Sequence, residues 1–203
     1  VVKNRPAVII LVSVLLANTL MTIKSAMLIY SFEYYFEMQD FYAVAMGVFT
    51  VATIIGALLI KYFIRLFRDS NRAFKGVMAL SIIFNVAFFI MCRAMGPEAA
   101  AESLYFGPLF FVFIISAVFQ GAHYGFANLM VPSVIYGIYA LDVSLGAAIG
   151  GKLNLSFLDA VNYVPNVAQT PEVQNGILFV TIMVPVIMTA AQLVLQFFFG
   201  LND

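Results

Sequence analysis

Residues 41–92 read FYAVAMGVFTVATIIGALLIKYFIRLFRDSNRAFKGVMALSIIFNVAFFIMC, two long apolar runs on either side of a short basic joint. A membrane-spanning helix needs about 20 predominantly apolar residues, and each run is about that long. The runs are continuous rather than alternating, which favours spanning helices over a transmembrane barrel. The joint near Phe67–Asn71 is crowded by Lys61, Arg65, Arg68, Arg72 and Lys75. Working outward from this pair, the same grammar recurs. Six spans are predicted, near Ala7–Tyr30, Phe41–Ile64, Phe74–Cys92, Tyr105–Met130, Tyr136–Leu158 and Gly176–Phe199. The fold class expected is therefore an all-α polytopic membrane protein, a six-helix bundle.

Composition points the same way. Hydrophobic residues make up 64% of the chain and charged residues 10%, with mean hydropathy +1.02. A soluble domain carries roughly a quarter charged residues, so lipid must solvate most of this exterior. The single Cys92 excludes an internal disulfide and a CxxC metal site. Lys3 and Arg5 precede the first run, but that run is too long for a signal peptide and lacks a small-residue cleavage site. Nothing basic or patterned suggests nucleic acid as a partner.

Charge assigns the sides. Lys and Arg in short loops mark the cytoplasmic face. If the spans alternate, Lys3, Arg5, Lys61, Arg65, Arg68, Arg72 and Lys75 share one side. The other side receives Glu33, Glu37, Asp40, Glu98, Glu102, Asp159 and Glu172, with Arg93 as the exception. Both ends of the segment are thus expected in the cytoplasm. One joint breaks the pattern: Met130–Tyr139, MVPSVIYGIY, should be cytoplasmic yet holds no charge. Either the reversal is unusually tight or a cytoplasmic loop is omitted near 130–139; the omitted loop is the preferred reading.

Several stretches carry a resemblance. Lys3-Asn4-Arg5-Pro6 leads into the first span, and Ile23-Lys24-Ser25-Ala26-Met27-Leu28-Ile29-Tyr30 occupies its second half. Ser144-Leu145-Gly146-Ala147-Ala148-Ile149-Gly150-Gly151, Tyr163-Val164-Pro165-Asn166, Gln169-Thr170-Pro171-Glu172-Val173, Gly176-Ile177 and Leu201-Asn202-Asp203 follow in order. Together they resemble the C-terminal half of the glycoside–pentoside–hexuronide:cation symporters, a branch of the major facilitator superfamily that includes the melibiose and glucuronide permeases. The resemblance implies spans seven to twelve of a twelve-span transporter in a bacterial inner membrane, with an N-terminal six-helix half as partner. It also implies an acidic cytoplasmic loop between the tenth and eleventh helices, where this chain passes from Ile135 to Tyr136. The chain departs from the family pattern at Asn128 (commonly Trp), Ser133 (commonly acidic) and Ser144 (often Lys). No cofactor is implied. A coupling sodium ion or proton is, but the family's principal cation-site acids lie in the N-terminal half.

Polar groups inside the spans are the candidate substrate-binding residues. A charge at the bilayer centre costs about 2.5–3.5 kcal/mol on insertion scales, so each requires a reason. Lys24 is read as facing a substrate cavity or pairing with an acid, with snorkelling as the alternative. Asn18, Thr22, Ser25 and Glu33 are read as one helical stripe, suited to a water-filled cavity or to interhelical hydrogen bonds, with Glu33 near the external interface as a solvated end residue. Lys24 lies off that stripe. His123 groups with Gln120, Tyr124 and Asn128; it is read as a proton carrier or as a neutral histidine bonded to a neighbouring helix. Asp142, two positions before the candidate Ser144, is read as a local polar anchor in the fifth span or as a residue near the cytoplasmic end of that helix. Lys152 is expected on a rough stripe with Ser156 and Asp159. Gly146, Gly150 and Gly151 are read as close-packing residues.

The function expected is secondary active transport by alternating access, cation-coupled symport of a sugar or glycoside. An enzyme is disfavoured: there is no HExxH, no partnered Cys nucleophile and no paired carboxylates in a span. The alternative is a six-span channel or membrane assembly subunit, although no polar filter or repeated pore helix is evident.

Overall fold

In lipid, backbone polar groups must be satisfied within the chain, and the regular structure among the described residues is helical throughout. The computed structural model describes residues 5–129, 131 and 136–198. Helix α1 runs Arg5–Tyr30 and continues through a π-helical turn, Ser31–Tyr35. A short 3-10 turn at Gln39–Phe41 leads into α2, Tyr42–Leu58, and then α3, Ile60–Phe67. The remaining helices are α4, Ser70–Leu104; α5, Pro108–Leu129; α6, Tyr136–Ala160; and α7, Pro171–Phe197.

Among the described residues, five stretches are long and apolar enough to cross a membrane: Ala7–Tyr35, Gln39–Leu58, Ser70–Leu104, Pro108–Leu129 and Pro171–Phe197. Helix α6 has 25 residues, but Asp142, Lys152, Asp159 and its glycines dilute its hydropathy. It packs along α1 like a sixth member of the bundle.

Local chemistry explains where the helices stop, and it moves two expected boundaries. The second span, expected to reach Ile64, ends at Leu58, and Ile60–Phe67 forms a separate amphipathic helix. Arg68 closes that helix in the left-handed region (φ 57°), and the Asp69 side chain then accepts a 2.6 Å hydrogen bond from the Arg72 N–H to cap α4. The stretch between the expected third and fourth spans, which end at Cys92 and begin at Tyr105, is helical. Gly96 (φ 78°) breaks α4, and Pro97 starts a fresh helical segment where its missing N–H costs nothing. At α7, Thr170 is the cap and Pro171 the first helical residue.

The packing follows an internal two-fold pattern. Helix α1 pairs with α6 as α5 pairs with α2; α4 packs on α5 as α7 packs on α1; α4 meets α7 and α1 meets α5. Exchanging α1, α2, α4 for α5, α6, α7 reproduces the same contacts, as expected of paired three-helix repeats. Glycines set both long seams. A Cβ on Gly56 would lie 1.9 Å from the Val118 carbonyl oxygen, and one on Gly150 would lie 2.8 Å from Thr22 Cβ. Phe32, Tyr35, Phe49, Phe88 and Phe113 fill the core toward the Glu37 end, and Phe74, Met78 and Phe126 toward the α3 end.

Half of the charge-free joint, residues 130 and 132–135, lies outside the described residues. Its flanks are informative: Tyr139 Oη donates to Asn128 Oδ1 at 2.7 Å. Eleven residues of straight helix would hold these two about 17 Å apart, so α5 and α6 are not one continuous helix.

Candidate functional site

Spacing of three and four along α1 places Asn18, Thr22 and Ser25 on one side of that helix. They line an open concavity of about 600 Å3 with Met21, Ala26, Tyr42 and Met46, and with Tyr124 of α5. Its polar groups are held in place. Asn18 Nδ2 donates to the Val14 carbonyl (2.9 Å), Thr22 Oγ1 to the Asn18 carbonyl (3.0 Å), and Tyr124 Oη to Asn18 Oδ1 (3.1 Å). The result is a wall of hydroxyl and amide groups between aromatic and thioether surfaces. Helix α6 braces it from behind, because Gly146 and Gly150 bring its backbone against Asn18 and Thr22. Tyr42 and Met46 escaped the sequence reading, since an aromatic or methionine at a span end looks like packing until its neighbours are known.

Glu33 does not continue this face. The π-helical turn changes the rotation per residue after Tyr30, and Glu33 lines a separate outer pocket with Tyr34, Glu37, Gln169 and Gln174. At that rim Tyr163 Oη donates to Tyr34 Oη (2.9 Å). Burial, and then this hydrogen bond, push the Tyr163 phenol well above its ordinary value.

Lys24 points the other way, into the bundle, and is 3% exposed. Its ammonium donates to Asn85 Oδ1 on α4 (2.6 Å) and to Gln120 Oε1 on α5, and it sits 5.7 Å from the Phe49 ring centre on α2. Its hydrogen-bond partners are amide oxygens, not carboxylates. Gln120 Nε2 reaches Met21 Sδ at 3.3 Å, so Gln120 separates the buried ammonium from the open concavity. Asn85 was missed at the sequence level; a lone amide in the apolar run SIIFNVAFFI was the available signal.

The family model described as MFS/sugar transport protein matches residues 1–203. The chain belongs to the MFS/sugar transport protein family. It is an all-α polytopic membrane protein of the major-facilitator type. It is also similar to a protein of Bacillus subtilis (strain 168) named as an uncharacterized symporter, YnaJ, at 31% identity over 130 residues. That match covers 63% of this chain and 27% of the relative's length, so the chain spans well under half of the curated relative it matches. No solved structure is a significant match.

Within this member of the MFS/sugar transport protein family, the other expected site residues are scattered. His123 is fully buried beside Phe74; its Nε2 shares a 2.8 Å hydrogen bond with Gln192 Oε1 of α7, and its Nδ1 has no partner. Gln192 Nε2 and Gln196 Nε2 bind Ser13 on α1, a network that the i,i+4 glutamines of the last span foreshadowed but that was not read. Asn128 donates to the Tyr124 carbonyl (2.7 Å) and accepts from Tyr139, tying α5 to α6. Asp142 is 8% exposed, on the four-residue row with Gly146, Gly150, Asn154 and Leu158 that faces α1, and its Oδ2 has no hydrogen-bond partner. Ser144 is exposed and donates to the Ala140 carbonyl. Lys152, Ser156 and Asp159 are all exposed on α6, and Ser156 donates to the Lys152 carbonyl. Thus Asn18, Thr22 and Tyr124 meet at one surface, Lys24 and Gln120 at a second place behind it, and His123, Asp142, Ser144 and Lys152 lie elsewhere.

Proposed function

We propose that this chain is the C-terminal six-helix half of a secondary active transporter that carries a sugar or glycoside by cation-coupled symport. The observation that carries the reading is the open face of Asn18, Thr22, Ser25, Tyr42 and Tyr124. Short fixed hydroxyls and an amide between aromatic rings suit a neutral, polyhydroxylated solute: polar groups set orientation while an apolar wall supplies area. The face opens away from the bundle core, where a second six-helix half would complete a midplane site. The membership of the MFS/sugar transport protein family and the symporter relative support the same reading. Alternating access follows if substrate and ion together favour one arrangement of the two halves. Positive charge near Lys61–Lys75 supports a bacterial inner-membrane orientation with both ends of the segment cytoplasmic.

The test is uptake of radiolabelled mono- and disaccharides into vesicles containing the complete protein, with and without sodium and proton gradients. Gradient-driven accumulation of a sugar is expected. Ion conductance with no sugar binding would instead identify a channel and overturn the transporter reading.

A further inference from the structure

We propose that Lys24 is a proton-binding group of the transport cycle, so that this half of the protein carries a coupling proton of its own. The proposal rests on the transporter reading above and concerns the ion rather than the sugar.

The geometry at Nζ carries the argument. Lys24 bridges three helices, with Asn85 Oδ1 from α4, Gln120 Oε1 from α5 and the Phe49 ring from α2 around its ammonium. An ammonium has three N–H donors and a neutral amine has two. The site supplies two strong acceptors, so both hydrogen bonds survive loss of the third proton. Release of that proton therefore leaves no buried acceptor unpaired, the usual penalty for altering a buried polar group. Among the described residues the Phe49 ring also faces the group, and the π-face of a phenylalanine favours a cation only weakly. A permanently charged residue inside a membrane protein would instead be expected to have a carboxylate partner.

The two acceptors of Lys24, though not Lys24 itself, border a space of about the size of a water. Asn85 and Gln120 both line a small internal space with Leu20, Ser81, Pro185 and Thr189. Its volume is about 10 Å3, near the lower limit for one water, and Ser81, Asn85, Gln120 and Thr189 are its polar lining. In the step proposed, the N–H bond to the third proton breaks, its electron pair stays on nitrogen, and the proton passes to a water; the reverse step reloads the amine. Gln120, bonded to Met21 at the edge of the open concavity, links the charge state of Lys24 to the substrate wall.

The elements packed around Lys24 present few competing titratable groups. On α5 they are His123 and Tyr124, each about one turn from Gln120, the first bonded to Gln192 of α7 and the second to Asn18 of α1. On α4 it is Cys92, two turns beyond Asn85 and buried. Helix α2 presents Phe49, and α7 presents Pro185 and Thr189 at the small space. On α1 itself the next ionisable groups are Tyr30 and Glu33, about two turns on.

The experiment uses the complete transporter in proteoliposomes with the pH dye pyranine inside, and a sugar identified by the uptake panel. Wild type should acidify the lumen when sugar enters. Lys24→Met should reduce that acidification and uphill accumulation more than tenfold, while sugar exchange falls by a smaller factor. Lys24→His should retain proton movement with its pH profile displaced to lower pH, because an imidazole titrates near 6.5 and a lysine near 10.4 in solution. A purely structural lysine would give no displacement. If Lys24→Met proves inactive in exchange as well, Lys24→His decides: an acid-shifted profile supports the proposal, and an unshifted profile or inactivity overturns it. Sodium-driven uptake without lumen acidification in wild type would overturn the proton site and leave the transporter reading standing. Absence of any sugar uptake would overturn that reading and this one with it.

Discussion

Two polar clusters share helix α1 two residues apart, and they differ in almost every physical respect. Thr22 belongs to an open wall with Asn18, Ser25 and Tyr124, in which the Thr22 and Asn18 side chains donate to carbonyls of their own helix and one cross-link runs to α5. Lys24 belongs to a closed node whose hydrogen bonds both cross between helices, over 61 and 96 residues of sequence. The open wall keeps spare acceptors and donors for a solute. The closed node has both of its amide oxygens engaged by one ammonium, which keeps a third N–H proton to give. A helix separates the two roles simply by turning about 100° per residue.

That contrast can be broken most forcefully at Asn85. Asn85→Leu removes one of the two acceptors on a buried ammonium and leaves a charged donor unpaired, which should cost about 2–3 kcal/mol. Thermal unfolding of the purified complete protein should show the loss. A change indistinguishable from a surface substitution would mean the node is not held as described.

Gly150→Leu tests the brace behind the open wall. Any side chain there meets Thr22 Cβ at 2.8 Å and the Thr19 carbonyl oxygen at 2.9 Å, so α1 and α6 must separate. Overpacking of this kind costs about 1–3 kcal/mol, and sugar affinity should fall with it. Gly151, one residue along, has nothing within 4 Å of a Cβ position. Gly151→Ala should therefore leave both stability and uptake within error, or raise stability slightly through better helix propensity. Equal effects at the two glycines would refute the seam.

A small structural effect and the clearest functional one are expected at Tyr124→Phe. It deletes a single partly exposed hydrogen bond to Asn18, worth about 1 kcal/mol, yet it removes a hydroxyl from the solute-facing wall. Apparent sugar affinity should drop by roughly the tenfold that 1.4 kcal/mol represents, with unfolding nearly unchanged. Loss of stability without loss of affinity would reverse the assignment of open and closed clusters.

Much of the architecture was legible because lipid imposes a simple demand: long apolar runs, with charges confined to their ends. The stripe Asn18–Thr22–Ser25 was readable from helical periodicity, as was the fact that Lys24 lies off it. Glu33 was misplaced on that stripe because a π-helical turn changes the rotation and leaves no mark in hydropathy. The gap between the third and fourth expected spans is helical instead, because proline is tolerated at the start of the segment that follows Gly96. The second span was read too long because Lys61 and Arg65 sit on an amphipathic helix whose apolar side, Ile60, Phe63, Ile64 and Phe67, imitates the end of a span.

What the sequence by itself determined is the solvent and the period: a chain this apolar must fold as helices in a membrane, and residues three and four apart must share a side. Which sides face each other was decided only in three dimensions. Gly56 and Gly150 select their partners by how closely two backbones can approach, and Asn85 meets Lys24 across 61 residues because two helices cross there. A lone lysine in an apolar run announces that it needs acceptors. Only the packing of α4 and α5 against α1 shows that those acceptors are two neutral amides.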